Sequence, residues 1–289
     1  MLTLFTDTDT DITPAVAAEY GYRLISMPYA VDGETVFPYE DGRPVDMRAF
    51  YDSLRAGVLP TTSGLSSEKY KQYFRPEFEA GNDILYVHFS AAMTCTFDAM
   101  HEALKELREE FPERKFYEID TKGITILAYV IVREIGDMLL AGKTPEEVCA
   151  WADREILHFA QYFFADDLKF FRRSGRVSGI SATMGTLLGI RPIIYVNEEG
   201  KMLSLTKERG RARAMERLLT FMEEKGEDIA AHRVVIGHTD APEMAEELAE
   251  KIRERFGKDL QIDIICTNPT AGSHCGPNGV GVAFHAKER

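Results

Sequence analysis

Short apolar runs alternate with amphipathic helical stretches through the first half of the chain. The apolar runs span residues 2–5, 23–27, 84–87 and 115–119. The helical patterns span residues 46–56, 96–111 and 124–141. A strand, a helix and a second strand form a βαβ unit, whose two strands lie parallel in one sheet. The alternation therefore predicts an α/β fold with a mainly parallel, Rossmann-like N-terminal sheet.

The second half of the chain is less regular. Thr144-Pro145-Glu146-Glu147 predicts a capping box that begins a helix reaching about residue 159. Asn197-Glu198-Glu199-Gly200 predicts a hairpin turn between strands at 193–196 and 202–205. Further strands are expected at 234–237, 262–265 and 280–284, and helices at 209–225 and 242–256. This order favours an α+β unit with a mixed sheet, so we expect two domains, residues 1–160 and 161–289, with a ligand between them.

Composition narrows the function classes. The formal net charge of −13 argues against a nucleic-acid-binding protein, whose surface is expected to be basic. No apolar run reaches the ~20 residues that span a bilayer, and the first residues lack the basic and apolar regions of a signal peptide. A cytoplasmic protein is therefore expected. The four cysteines are widely spaced and form no Cys-x-x-Cys pair, so we expect neither a disulfide framework nor a metal site.

Hydroxyl side chains cluster where predicted strands end and helices begin. Thr62-Ser63 precedes one helical stretch, and Thr94-Cys95-Thr96 opens another after the strand at 84–87. Ligands of open α/β sheets bind beyond the carboxyl ends of the strands, where free N–H groups and hydroxyls suit a carboxylate or phosphate. Thr62, Ser63, Thr94 and Thr96 are therefore candidate anion ligands. Plain N-capping is the alternative interpretation, since helix starts also prefer serine and threonine.

The acidic run Thr6-Asp7-Thr8-Asp9-Thr10-Asp11 follows the first strand. Its Asp-x-Asp spacing resembles the nucleophile loop of haloacid-dehalogenase-type phosphatases, in which Asp7 would be the nucleophile, Asp9 the acid–base and Mg²⁺ the metal. Such an enzyme also needs later acidic metal ligands, and only Asp137 is near a suitable pattern. The simpler interpretation makes Asp7 a turn residue that hydrogen-bonds the neighbouring loops of a ligand site.

Two further segments contain candidate head-group ligands. In the segment 166–178, a short helix is expected to end at Gly175, which places Arg176 towards the cleft, although an exposed basic helix end would give the same pattern. His274 lies among four glycines and Pro277, which predicts a tight loop that faces a bound group; a simple glycine-rich turn is the alternative. His274 with a cleft serine, threonine or cysteine would also suit a hydrolase.

Motifs for nucleotide cofactors and for serine hydrolases are missing from the sequence. No Gly-x-Gly-x-x-Gly follows a strand, and neither Gly-x-x-x-x-Gly-Lys nor Gly-x-Ser-x-Gly occurs. The chain therefore offers groups that bind an anion more clearly than it offers a nucleophile with its base.

Taken in order, these segments resemble the DegV family of bacterial fatty-acid-binding proteins over nearly the whole chain. The matching segments are Phe5-Thr6-Asp7-Thr8, Thr62-Ser63, Thr94-Cys95-Thr96-Phe97, Asp120-Thr121-Lys122, Ser174-Gly175-Arg176-Val177-Ser178, Gly185-Thr186-Leu187-Leu188-Gly189, Gly237-His238-Thr239-Asp240 and Gly272-Ser273-His274-Cys275-Gly276-Pro277. Each segment alone is weak evidence, whereas their order and spacing together are specific.

The resemblance implies two domains with a fatty acid such as palmitate, stearate or oleate between them. It implies that Thr62 and Thr94 hold the carboxylate, with Arg176 and His274 close to it. It also implies that the protein presents the acid to a separate fatty acid kinase and is not itself the site of phosphoryl transfer. We therefore expect a non-catalytic protein, a monomer without cofactor or metal. Cys95 departs from the family pattern, because glycine is usual there and the loop path is expected to differ.

A fatty acid is also a physically reasonable ligand. About fifteen buried methylenes at roughly 0.8 kcal/mol each contribute about 12 kcal/mol before the costs of association. The tail therefore dominates affinity, while the carboxylate, which is costly to bury unpaired, sets orientation. The stretch 180–194, with Met184, Leu187, Leu188 and Ile190, is the expected tunnel wall; an ordinary core is the alternative.

Overall fold

Strands from the first part of the chain build two separate sheets. The computed structural model describes residues 1–40, 44–178 and 189–289. These strands are β1 (Leu2–Asp7), β2 (Tyr22–Ile25), β3 (Tyr29–Val31), β4 (Glu34–Val36), β5 (Thr61–Thr62), β6 (Asp83–His88) and β7 (Phe116–Asp120). The larger sheet has the order β2-β1-β6-β7, and all of its neighbouring strands are parallel. The predicted parallel sheet is therefore confirmed. The smaller sheet, β4-β3-β5, is antiparallel.

Helices connect these strands and pack against the parallel sheet. They are α1 (Pro14–Tyr20), α2 (Met47–Arg55), α3 (Ser67–Glu79), α4 (Thr96–Glu110), α5 (Ile126–Leu140) and α6 (Pro145–Glu155). Most of them begin at a side-chain cap, such as Ser66 before α3. The predicted capping box is confirmed, since Thr144 accepts from the Glu147 N–H and the Glu147 carboxylate accepts from the Thr144 N–H.

The remaining strands form a second, mixed sheet. They are β8 (Phe159–Phe164), β9 (Val177–Ser178), β10 (Ile190–Val196), β11 (Met202–Arg209), β12 (Val234–His238), β13 (Ile262–Cys266) and β14 (Val280–His285). Their order is β13-β12-β14-β8-β10-β11-β9, with parallel pairs at both edges and antiparallel pairs between. The accompanying helices are α7 (Lys169–Ser174), α8 (Arg211–Lys225), α9 (Pro242–Phe256) and α10 (Pro269–Cys275). The expected mixed sheet and the hairpin between β10 and β11 are confirmed.

Strand β8 was not expected from the sequence, which predicted a helix up to about residue 159. Its residues are buried throughout because it lies between β14 and β10 in the middle of the sheet. An almost wholly apolar run of this kind, interrupted by Gln161, is typical of a central strand but has no strand-like alternation. A domain boundary at residue 160 passes through β8, and we propose a boundary before Phe159, which keeps the strand with its sheet.

Helix α5 is the central element of the fold. Nine of its fifteen residues are buried, which is the pattern of a helix surrounded by protein. Its apolar side chains join one hydrophobic cluster with Leu85 and Val87 of the parallel sheet and with Val235 and Ala283 of the mixed sheet. One buried helix therefore holds the two sheets together. Among the described helices, none is both long and apolar enough to cross a membrane.

The capping box of α6 yields a stability prediction. Replacing Thr144 with alanine leaves an N–H group at the helix start without its side-chain acceptor. We expect Thr144→Ala to lower the free energy of unfolding by about 1 kcal/mol, measured by urea denaturation. Thr220→Ala is the control, because the Thr220 hydroxyl donates to the Glu216 carbonyl within α8 and caps no helix start. An equal loss in both variants would contradict the capping role.

Candidate functional site

A cavity of about 280 Å³ lies between the parallel sheet and the mixed sheet. The parallel sheet contributes the segments that follow β1, β6 and β7, beyond the carboxyl ends of those strands. This is the position at which ligands of α/β sheets bind. The mixed sheet and α10 close the opposite side. The apolar part of the wall includes Phe89, Met93, Ile124, Ile126, Phe163 and Met202.

Thr62 and His274 meet in the wall of this cavity. The Thr62 hydroxyl oxygen lies 2.9 Å from Nε2 of His274, although 212 positions separate the two residues. The prediction that a loop holds His274 is wrong, because the residue lies in the last turn of α10. Asn268 caps this helix by accepting from the Ala271 N–H, Pro269 occupies its first turn, and Gly276 with φ of 70° ends it. The glycines and proline therefore shape a short helix.

His274 is uncharged in this environment. Burial lowers its pKa to about 4, and the positive charges of Arg176 and Arg173 add to that effect. A neutral imidazole has one donor nitrogen and one acceptor nitrogen. The Thr62–His274 contact is thus a hydrogen bond between neutral groups.

The predicted hydroxyls at residues 63, 94 and 96 also line the cavity, together with Thr62. The Thr94 hydroxyl accepts from the Thr96 N–H at 3.1 Å. The Thr96 hydroxyl accepts from the Leu65 N–H at 2.8 Å and lies 3.1 Å from the Tyr70 hydroxyl. Thr96 is therefore largely occupied by the protein itself, which leaves Thr62 and Thr94 better placed for a ligand. Cys95 has φ of −99°, which suits an ordinary L-residue.

Arg176 lies at the edge of the cavity. It follows Gly175, whose φ of 66° ends α7 as the sequence predicts. The Arg176 side chain is exposed, lines the cavity and donates to the Ser174 carbonyl at 2.7 Å. Its guanidinium remains able to turn towards an anion at the cavity mouth.

Asp7 was predicted as a site residue, and the structure places it behind the cavity wall. Its fully buried carboxyl accepts from the Asp9 N–H, the Tyr86 hydroxyl and the Phe89 N–H at 3.0–3.1 Å. Burial raises the pKa of Asp7 to about 6. The interpretation as a loop-organising turn residue describes these contacts, whereas a nucleophile would need access to substrate. Within residues 1–40, 44–178 and 189–289, no group of three acidic, histidine or cysteine side chains could hold a metal ion.

Several polar residues in the cavity wall were missed from the sequence. They include Thr125, Gln161, Thr267 and Thr270; Asp9, which was predicted only as the acid–base of a phosphatase, also lines the cavity. Gln161 is a single polar residue within an apolar run, which is a signal that sequence reasoning can use. The others carry no such signal, because only the tertiary fold brings them together. The expected tunnel residues Met184, Leu187 and Leu188 lie outside the described residues, and Ile190 lies on β10 away from the cavity wall.

Comparison with known proteins identifies the family. The sequence model of the DegV family matches residues 1–287. A DegV domain-containing protein of Clostridium perfringens is 30% identical over 282 residues, which cover 97% of this chain and 96% of that protein. The chain belongs to the DegV family.

Solved structures show that this DegV family protein has the fold of its relatives. A DegV lipid-binding protein from Thermotoga maritima has a TM-score of 0.84 and 24% identity, covering 100% of this chain and 99% of that one. A stearic-acid-binding protein from Eubacterium ventriosum has a TM-score of 0.87 and 18% identity, with 99% of both chains covered. A fatty-acid-binding DegV family protein from Thermus thermophilus has a TM-score of 0.85 and 23% identity, again with 99% of both chains covered.

Asp11 gives a prediction for pH dependence. Its carboxyl accepts from the backbone and side-chain N–H groups of Asn268, both at 2.8 Å, while Oδ2 is buried and has no hydrogen-bond partner in the described part of the chain. Burial raises the pKa of Asp11 to about 7. Because the folded state then holds this proton more tightly than the unfolded state, the contribution of Asp11 to stability is present in acid and is lost as pH rises towards 7.

We expect Asp11→Asn to abolish this loss of stability at rising pH. Between pH 4 and pH 8 the stability of the wild type should fall relative to the variant by about 1–4 kcal/mol. Chemical denaturation at both pH values measures the difference. The exposed Asp153→Asn on α6 is the control. A pH-independent difference between wild type and Asp11→Asn would contradict the assignment.

Proposed function

We propose that this protein binds a long-chain fatty acid, with the tail in the cavity between the sheets and the carboxylate beside Thr62, Thr94 and His274. The observation that carries the proposal is an apolar-walled cavity with a Thr62–His274 hydrogen bond and a second hydroxyl in its wall. A cavity of about 280 Å³ is close to the lower end of the roughly 300–1,000 Å³ found for ligand pockets. The fatty-acid-binding relatives with the same fold support the ligand class.

The neutral state of His274 is compatible with a hydrogen-bond arrangement that frees the Thr62 proton. If Nε2–H of His274 donates to the Thr62 oxygen, the Thr62 proton is free to point at a ligand carboxylate. The Thr94 hydroxyl supplies a second donor, because its oxygen already accepts from the Thr96 N–H. Two neutral hydroxyl donors then satisfy the carboxylate, and Arg176 at the edge adds charge from the solvent side.

The protein presents the bound acid to a separate kinase and carries out no chemistry itself. Burial raises the pKa of Cys275 to about 12, so this thiol beside His274 is not a thiolate nucleophile at neutral pH. With its pKa lowered to about 4, His274 is also a weak base for activating Thr62. The raised pKa of Cys275 and the lowered pKa of His274 therefore favour a binding function over hydrolysis. The protein acts as a monomer in the cytoplasm, without cofactor or metal, in this proposal.

The first prediction concerns ligand retention. The wild-type protein, purified and analysed by native mass spectrometry, should carry a fatty acid that organic extraction removes. After delipidation and reloading with stearic acid, the double variant Thr62→Ala/Thr94→Ala should bind at least about tenfold more weakly, since two hydrogen bonds to a charged group are lost. Thr61→Ala is the control, because Thr61 is the exposed neighbour of Thr62 on β5. Equal affinity of the double variant and the wild type would refute the head-group assignment.

The second prediction separates presentation from binding. Arg176→Ala should retain stearic acid within about twofold, because tail burial dominates affinity. With a bacterial fatty acid kinase and ATP, its rate of acyl-phosphate formation should fall at least about tenfold, which is the loss of one charge-assisted contact. Arg172→Ala, an exposed arginine on the preceding helix α7, is the matched control. A wild-type rate of acyl-phosphate formation in Arg176→Ala would show that Arg176 has no role in presenting the acid to the kinase.

A further inference from the structure

Three polar side chains of the cavity wall have no part in the head-group site. Asp9 lies in the turn after β1, Thr125 directly precedes α5, and Gln161 lies within β8. The Thr125 N–H donates to the Asp9 carbonyl at 2.8 Å, and Nε2 of Gln161 lies 3.5 Å from the Thr125 hydroxyl oxygen. Thr125 therefore connects the backbone of Asp9 with the side chain of Gln161, and we call these three residues the polar patch.

Two oxygens of the polar patch are left without hydrogen bonds. Oδ1 of Asp9 and Oε1 of Gln161 are shielded from water and have no partner among the described residues. The two residues are only 5% and 4% exposed. A buried acceptor without a donor destabilises the protein unless a ligand group or an ordered water supplies the donor.

The side-chain amide of Asn268 lies near the Asp9 carboxyl, but among the described residues no hydrogen bond reaches Oδ1 of Asp9 or Oε1 of Gln161. The cavity-lining residues next to Thr125 in sequence are Ile124 and Ile126, and the one two positions after Gln161 is Phe163; all three are apolar. No hydrogen bond in the described part of the chain connects the patch side chains to Thr62, Thr94 or His274. A plain methylene tail in this cavity would therefore leave both oxygens unpaired.

Asp9 adds a complementary donor. Burial, together with the nearby carboxyls of Asp7 and Asp11, raises the pKa of Asp9 well above its ordinary value. A neutral carboxyl both donates and accepts, while the Gln161 oxygen only accepts. An alcohol hydroxyl also donates once and accepts, so it matches this combination of groups.

We propose that the polar patch binds a hydroxyl group carried on the acyl chain, which makes hydroxylated long-chain fatty acids preferred ligands. This inference rests on the proposed fatty-acid-binding function and extends it to a substrate class. The carboxylate remains at Thr62 and Thr94, and the polar patch binds a hydroxyl substituent along the tail. Gln161 is then a specificity-determining residue.

Competition between matched acids tests the inference. Delipidated protein is incubated with octadecanoic acid and a panel of octadecanoic acids that differ only in the position of one hydroxyl, and the bound acids are quantified by mass spectrometry. At least one hydroxylated isomer should be enriched about three- to tenfold over the plain acid, the ratio that one net hydrogen bond provides. Gln161→Leu should bind the plain acid at least as well and lose that enrichment.

Phe163→Leu is the matched control, because Phe163 lies two residues further along β8 in the same wall and offers no hydrogen bond. It should retain the preference for the hydroxylated isomer. A crystal structure with that isomer should place its hydroxyl within hydrogen-bond distance of Gln161 or Asp9, whatever the stability of the variants.

The outcomes separate the two proposals. Binding of octadecanoic acid without preference for any isomer, or a preference that Gln161→Leu retains, overturns the polar-patch inference and leaves the proposed function standing. A water molecule on the patch in the presence of the hydroxylated acid also overturns it. Failure to bind any of the acids refutes the proposed function and this inference with it.

Discussion

The burial of helix α5 is the interaction on which the rest of the structure depends. Its side chains belong to a hydrophobic cluster shared by the parallel and the mixed sheet. Burying each large apolar side chain contributes roughly 1.5–3 kcal/mol, so this helix is a major source of cohesion between the two halves. The position of the cavity follows, because Ile124, Thr125 and Ile126 at the start of α5 form part of its wall.

Exclusion of water from the same region sets the charges of the site. Burial raises the pKa of Asp7 and Asp11 to about 6 and about 7, and it lowers the pKa of His274 to about 4. Opposite shifts in acids and in a base have one cause, since a dry environment disfavours any charged form. The interior therefore offers neutral hydrogen-bonding groups to a ligand, while the charge of Arg176 stays at the surface.

Local patterns predicted the elements whose signals are contained in a few neighbouring residues. The capping box at Thr144, the helix end at Gly175 and the turn before Lys201 are examples. Strand β8 and helix α10 were missed for two different reasons. A fully buried strand has no alternation, and a seven-residue helix that contains a glycine has too little propensity of its own. Helix α10 forms because Asn268 caps it and because Gly272 packs closely against Tyr51.

The sequence by itself determined the fold class, the family resemblance and the residue types able to bind a carboxylate, since these depend on periodicity and on ordered motifs. Only the tertiary structure decided which of those residues share a cavity. It paired Thr62 with His274 across 212 positions, put Asp7 behind the wall and brought Asp9, Thr125 and Gln161 together within it. The physical reason is that a strand or helix carries its own local signal, whereas proximity between distant segments arises when they pack around a shared core, here the buried helix α5.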